Sequence, residues 1–183
     1  MDRRVLKTKK AIRAAFLTLM IEKRDEKITV KDIADKADVD RKTIYNYYRG
    51  VEEILGEIEN ELIAHFEAAM NSLAGEYDPK AYFLMLAQLI ENDMELYELL
   101  MRSGHSSFVT KAVIVLNEWL HKALNKTRNL DTEKVATAVE YIAAGIFCSY
   151  SHWFASSRTK TLKEFSIELY ELVIHGLPTY LLK

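Results

Sequence analysis

The sequence predicts an all-α protein with about nine helices. Three observations carry that prediction. Only six Gly and two Pro interrupt 183 residues, too few for the frequent turns that a chain of strands needs. Apolar residues recur at spacings of three and four over long stretches, and period-two alternation is nearly absent. With 49% hydrophobic and 28% charged residues, the composition is that of a folded chain, long enough for one ordinary domain or two small ones.

The first helix runs from about Arg4 to Glu22, where Ile12, Ala15, Phe16 and Leu19 share one face. Lys23 to Lys27 is a polar break. Thr29 then has the position of an N-cap for a short helix from Val30 to Lys36, with Asp32 at the end where a negative charge is favoured. Ile33 and Ala34 face inward. Asp40 caps a second short helix, Arg41 to about Tyr47, which Arg49 and Gly50 end. A long amphipathic helix follows from Val51 to Leu73, its apolar face made by Ile54, Leu55, Ile58, Leu62, Ile63 and Phe66. Gly75 and Pro79 punctuate the chain. Beyond them the apolar periodicity predicts helices at about Lys80 to Glu91, Met94 to Met101, Phe108 to Asn125, Asp131 to Ser156 and Leu162 to Tyr180. The expected organisation is a small domain over residues 1–50 and a helical domain over 51–183.

Charge divides along the same line. Residues 1–50 hold 14 Lys and Arg against 8 Asp and Glu, a net of +6, whereas the rest holds 11 against 19, a net of −8. A basic head on an acidic body is the distribution expected if only the head meets phosphate, although basic N-termini are also common without that role.

The segment with the sharpest chemistry is Thr29 to Tyr48. Two short helices are joined by the three residues Asp38 to Asp40, a spacing that lets the second helix cross steeply and project into a groove. Ala34, Ala37, Val39 and Ile44 supply the small and apolar residues that such a crossing needs. Asp38 must tolerate a left-handed backbone, which Asp does at modest cost. The second helix presents Arg41, Lys42, Thr43, Tyr45 and Asn46 outward. Arg can pair bidentately with guanine and Asn with adenine, so Arg41 and Asn46 are the candidates for reading bases. Lys42 suits guanine or phosphate. Thr43, Tyr45 and Tyr47 suit phosphate contacts, which set register without reading sequence. The plain alternative for each is a solvated surface side chain.

These residues resemble the DNA-binding domain of TetR/AcrR-family transcription regulators over about the first 55 positions. The likeness rests on Ile12, Ala15 and Phe16, on Thr29-Val30-Lys31-Asp32-Ile33-Ala34, on Ala37, Val39, Thr43, Tyr45, Tyr47 and Tyr48, and on Glu52, Glu53 and Leu55. It implies that Thr29 and its first turn touch the DNA backbone, that Thr43, Tyr45 and Tyr47 grip phosphates, and that Tyr48 packs beneath the recognition helix. Two positions depart from the family pattern. Asp38 stands where Gly is usual, and Val51 stands where a phosphate-binding Lys commonly begins the fourth helix. Arg49, or the basic segment Arg3, Arg4, Lys7, Lys9 and Lys10, is then expected to make up that contact.

The resemblance also implies a dimeric body with a ligand cavity, a double-stranded operator, and repression relieved by a small-molecule effector. Activation, or control by a protein partner through Ser103 to Ser107 or Glu91 to Glu98, stays open. Within the body, Val135, Val139, Ile142, Ile146, Tyr150 and Trp153 form one apolar stripe and Leu162, Phe165, Leu169, Leu172 and Val173 another. These fit a four-helix bundle across a homodimer or the core of one subunit. A two-fold dimer would read a palindromic operator. For an effector the candidate contacts are Tyr82, Tyr97, Met101, Trp119, His152 and Trp153, with Phe83, Met85 and Phe108 as further cavity walls and His105 or His121 as further polar anchors, although aromatics at helical spacing also build cores.

Catalytic, cofactor and metal sites are not expected. The five His have no His-x-x-x-His pairing, and no Gly-rich phosphate loop occurs. Cys148, the one cysteine, is expected to be a buried thiol beside Ile146, Phe147 and Tyr150, in keeping with a reducing cytoplasm. The basic start is not followed by a signal-type apolar run, and no run of 18 apolar residues occurs, so neither secretion nor a membrane span is expected.

Overall fold

The structure is a computed structural model that describes residues 3–23, 26–73, 78–103, 106–124 and 131–181, with side chains given up to residue 122 in the fourth segment and residue 176 in the fifth. Among the described residues the secondary structure is helical. In chain order the helices are α1 (Arg3–Lys23), α2 (Val30–Ala37), α3 (Arg41–Tyr45), α4 (Val51–Ser72), α5 (Pro79–Glu91), α6 (Met94–Arg102), α7 (Phe108–Leu124), α8 (Thr132–Ala155) and α9 (Leu162–Leu181). The all-α expectation holds, and most ends fall within two residues of those read from periodicity. Gly75 and His105 lie outside the described residues.

The chain forms two compact units. The first comprises residues 1–62 with 103–107, and the second residues 63–102 with 108–183. The expected division at residue 50 stops short of the first twelve residues of α4.

In the first unit, Ile12, Phe16, Ile33, Ile44, Tyr48, Ile54 and Ile58 make a core in which each is at most 2% exposed. Ion pairs fasten α1 to α4 around it. Lys9 Nζ lies 2.6 Å from Glu57, and Arg13 grips Glu61 with both terminal nitrogens. Lys9 also stands 5.0 Å above the Tyr48 ring. The segment from Arg3 is therefore part of a helix and not a loose tail, and Lys9 is engaged within the protein.

In the second unit α5 packs on α9 and α7 on α8. The stripe Val135, Val139, Ile142, Ile146, Tyr150 and Trp153 is buried here, within one subunit. That corrects the dimer assignment of this stripe in favour of its alternative, an intramolecular core. Tyr150 is held by polar contact as well as by packing. Its hydroxyl lies 2.7 Å from Ser166 Oγ, and because Ser166 donates to the Leu162 carbonyl at 2.8 Å, Tyr150 is the donor. Burial pushes its pKa up to about 12. A second correction concerns Cys148, which is exposed. At helical spacing it falls on the face of α8 opposite the buried Ile146 and Tyr150, with Tyr141, Ala144 and Gly145, all exposed.

Candidate DNA-binding face and an apolar cavity

The helix pair in the first unit is built from its caps. Thr29 has an extended backbone, φ −112° and ψ 160°, and its hydroxyl accepts from the Asp32 amide at 3.2 Å. Asp32 in turn accepts from the Thr29 amide at 2.8 Å and from its hydroxyl at 2.7 Å, a closed capping box. Lys23 stands 3.0 Å from the same carboxylate. The hydrogen bonds from Thr29, and then that from Lys23, hold the Asp32 pKa down to about 2.

Helix α2 ends at Asp38 with φ 53° and ψ 50°, the left-handed turn that the helix-turn-helix spacing requires. Asp at this site carries the modest strain that Gly would avoid. The Asp38 amide closes the end by donating to the Ala34 carbonyl. Asp40 then starts α3, its carboxylate accepting from the Lys42 amide at 2.7 Å. Helix α3 is a turn and a half long, and Asn46 is its C-cap, so the helix ends two residues before the expected Tyr47, which lies just past the cap.

This construction decides which side chains face out. Ile44 is fully buried, and Tyr48 is 2% exposed beneath α3, its hydroxyl donating to Glu57 at 3.3 Å. Arg41, Lys42, Tyr45 and Asn46 are exposed, while Thr43 and Tyr47 are half-buried on the flanks. Thr29 is exposed at the start of α2. The seven residues expected to meet DNA thus all belong to the capped pair. Arg49 is exposed nearby and Val51 half-buried, so a cation is available two residues before the position that lacks Lys.

The sequence reading missed Glu59, which is 1% exposed. Its carboxylate accepts from Ser106 Oγ at 2.8 Å, from the Ser107 amide at 2.8 Å and from Ser107 Oγ at 2.6 Å. The polar insert between α6 and α7 is thereby bonded to α4. A signal was present: Glu59 interrupts the apolar stripe Leu55, Leu62 and Phe66 at a position where an apolar residue belongs.

The second unit contains a cavity of about 80 Å3. Its walls include Tyr82, Phe83 and Leu86 of α5, Leu116 and Trp119 of α7, and Ile146 of α8. The Tyr82 and Trp119 rings lie 4.1 Å apart at 58°. Of the expected effector contacts, Tyr82, Phe83 and Trp119 line this cavity, whereas Met85, Tyr97, Met101, Phe108, His152 and Trp153 do not. Tyr97 and Met101 are buried in α6, Tyr97 edge-on to Phe108 at 5.6 Å. Trp153 donates its indole N–H to the Lys160 carbonyl at 3.3 Å and lies under the Arg158 guanidinium at 5.2 Å. His152 is exposed.

Solved structures share this architecture over nearly the whole chain. The TetR transcriptional regulator from Streptococcus agalactiae has a TM-score of 0.72 at 20% identity, covering 94% of this chain and 96% of that one. The Thermus thermophilus FadR, a TetR-family transcriptional repressor in complex with lauroyl-CoA, has a TM-score of 0.61 at 20% identity, with coverages of 92% and 94%. The chain therefore has the fold of the TetR-family regulators. A curated relative, the HTH-type transcriptional regulator YxbF of Bacillus subtilis, is 35% identical over 95 residues. That stretch is 48% of this chain, which spans 25% of the relative's length. No family model matches the chain.

Proposed function

We propose that this chain is a sequence-specific DNA-binding transcription regulator, a cytoplasmic homodimeric repressor that a small-molecule effector releases from its operator. The observation that carries the reading is the capped helix pair, with Ile44 and Tyr48 anchoring α3 from behind and Arg41, Lys42, Tyr45 and Asn46 turned outward. Arg41 is the first residue of α3, and the N-terminal residues of a recognition helix are those that reach base edges. Thr29, Thr43, Tyr45 and Tyr47 flank it with the hydroxyls that phosphate contacts use. Among the described residues, no helix is long and apolar enough to cross a membrane, which accords with this reading.

The effector arm draws on the fold. A TetR-family repressor of the same architecture holds lauroyl-CoA, and this chain has an apolar cavity in its second unit. An effector acts only as far as it prefers the conformation that does not bind DNA. A tenfold loss of operator affinity needs about 1.4 kcal/mol of such preference.

The test is selection of bound sites from random duplexes with the full chain. A palindromic consensus with half-sites about one helical turn, or a near multiple, apart is the expected result. Recovery of no consensus, with binding that depends on salt alone, would defeat the sequence-specific reading.

A further inference from the structure

Two cations of the basic head are committed inside it. Lys9 and Arg13 of α1 both meet Glu57 of α4, Lys9 Nζ at 2.6 Å from Oε2 and Arg13 Nη1 at 3.6 Å from Oε1. Tyr48, buried just past α3, joins the same group. Its hydroxyl donates to Glu57 Oε1 at 3.3 Å, and Lys9 Nζ stands 5.0 Å from its ring centroid. Glu57 therefore acts on Tyr48 twice, directly at the hydroxyl and indirectly by holding the cation over the ring.

Tyr48 is the residue through which this cluster reaches α3. Its amide donates to the Ile44 carbonyl at 2.9 Å, so its backbone continues the last turn of that helix. With five residues α3 cannot hold its own direction, since an isolated helix needs about 12–15 residues to persist in water. It rests on α2, Asp40 caps its start, and the Tyr48 side chain fixes its exit. Burial, followed by the charge of Glu57, pushes the Tyr48 pKa up, so the hydroxyl stays a donor at neutral pH. Glu57 itself has the wrong charge to meet a phosphate. Any effect it has on base reading must then travel through α3.

We propose that Glu57 is a positioning residue of the DNA-binding head: by clamping Tyr48 and Lys9 it fixes the exit of α3, and with it the direction in which Arg41 and Asn46 face a base pair. Its biological role rests on the regulator reading, whereas the clamp stands on the contacts alone.

The experiment compares full-length Glu57→Ala, Glu57→Gln, Tyr48→Phe and the double variant Glu57→Ala with Tyr48→Phe. Anisotropy at fixed salt gives affinity for the selected operator and for random duplex. Amide exchange is followed at Tyr47 and Tyr48, both of which donate to the Ile44 carbonyl at 2.9 Å. Ala and Gln remove the same charge, so random-duplex affinity should hold or rise equally in both. Operator affinity should separate them. Glu57→Ala should lose about tenfold, the scale of one hydrogen bond to a charged group, whereas Gln keeps an acceptor for Tyr48 and should lose less. Tyr48→Phe keeps the ring beside Lys9 and should also lose less. The double variant should lose no more than Glu57→Ala alone, because both changes cut the same link. Exchange at Tyr47 and Tyr48 should quicken in Glu57→Ala, while exchange at Ile33 of α2, bonded to the Thr29 carbonyl, should not.

Operator affinities that follow the random duplex equally in Ala and Gln would reduce Glu57 to a surface charge and overturn the positioning role. Parallel losses on both duplexes that track a lower melting temperature would do the same. Additive losses in the double variant, or unchanged exchange at Tyr47 and Tyr48, would overturn the clamp. Because Gln preserves the side-chain volume, its comparison with the parent decides the matter if Ala fails to fold. Recovery of no operator, with exchange at both amides quickened, would count against the regulator reading and leave the clamp standing.

Discussion

Arg41 opens α3 and Tyr47 lies six residues on, past its end, and the chemistry expected of them differs in a way that binding data can resolve. Arg41 is exposed at the first helical position, with a guanidinium that can pair with one base edge. Tyr47 is half-buried, with one hydroxyl suited to a phosphate. Arg41→Ala should cost about 1–3 kcal/mol on the selected operator and much less on random duplex, relaxing the preference at one position. Tyr47→Phe should weaken both duplexes by a similar factor. Anisotropy titrations at fixed salt measure both, and equal losses for Arg41→Ala on the two duplexes would remove it from base reading. Asp32 offers a separate check through pH. Its folded pKa of about 2 lies below the ordinary 3.8, so the stability it contributes is fully present above about pH 4 and is lost as pH falls towards 2. Amide exchange in the first turn of α2 should accelerate over that window. Asp32→Asn should flatten this local acid response, and an unchanged profile would show that the capping box does not govern it.

At the scale of elements, helix boundaries were legible because caps and periodicity are local signals. Thr29 and Asp40 cap as their positions suggest, and Asp38 takes the left-handed turn. What the sequence concealed was which face of a helix meets which neighbour. The stripe from Val135 to Trp153 reads equally well as subunit interface or core, and only the packing of α7 and α9 on α8 decides that it is core. Cys148 misled for the same reason: its sequence neighbours are apolar, but a helix turns about 100° per residue and carries them to another side. In the candidate site, residues on the short capped helices could be named in advance, whereas the cavity walls come from helices distant in sequence. Tyr82, Phe83 and Trp119 were anticipated as cavity residues, while Leu86, Leu116 and Ile146 carry no individual signature.

Glu59 belongs to this scale too, because its role is to fasten a segment to a helix. A carboxylate that is 1% exposed is tolerable only while its acceptor sites are used, and Ser106 and Ser107 use them. Glu59→Ala leaves those donors without their acceptor and should destabilise by about 2–3 kcal/mol. Glu59→Gln, which keeps one acceptor oxygen, should lose less. Denaturant melts give the two costs, and exchange at the Ser107 amide should rise in both variants, more so with Ala. An unchanged Ser107 exchange rate in Glu59→Ala would mean that the carboxylate does not hold the segment.

For the whole molecule the open question is the partner subunit, and the exposed surface of α8 and α9 gives the proposed dimer a specific face. Tyr141 is 76% exposed and Leu172 68% exposed, large apolar side chains of a kind that association would cover. Ala144, Gly145 and Cys148 are small exposed residues on α8, where small side chains permit close approach by another helix. Since the Val135 to Trp153 stripe is already buried within one subunit, this outer surface is what remains for a second. The double variant Tyr141→Glu and Leu172→Glu places like charges where two copies would meet and changes no buried residue. It should keep its helical melt yet sediment as a monomer at micromolar concentration, where the parent chain sediments as a dimer. Loss of the dimer removes the bivalent advantage, so affinity for a palindrome should fall by about a hundredfold or more while affinity for an isolated half-site stays the same. That pairing separates a lost interface from a damaged head, because damage to α3 would weaken half-site and palindrome alike. A parent chain that is monomeric and binds a half-site as tightly as the palindrome would exclude the dimer and, with it, the two-fold operator.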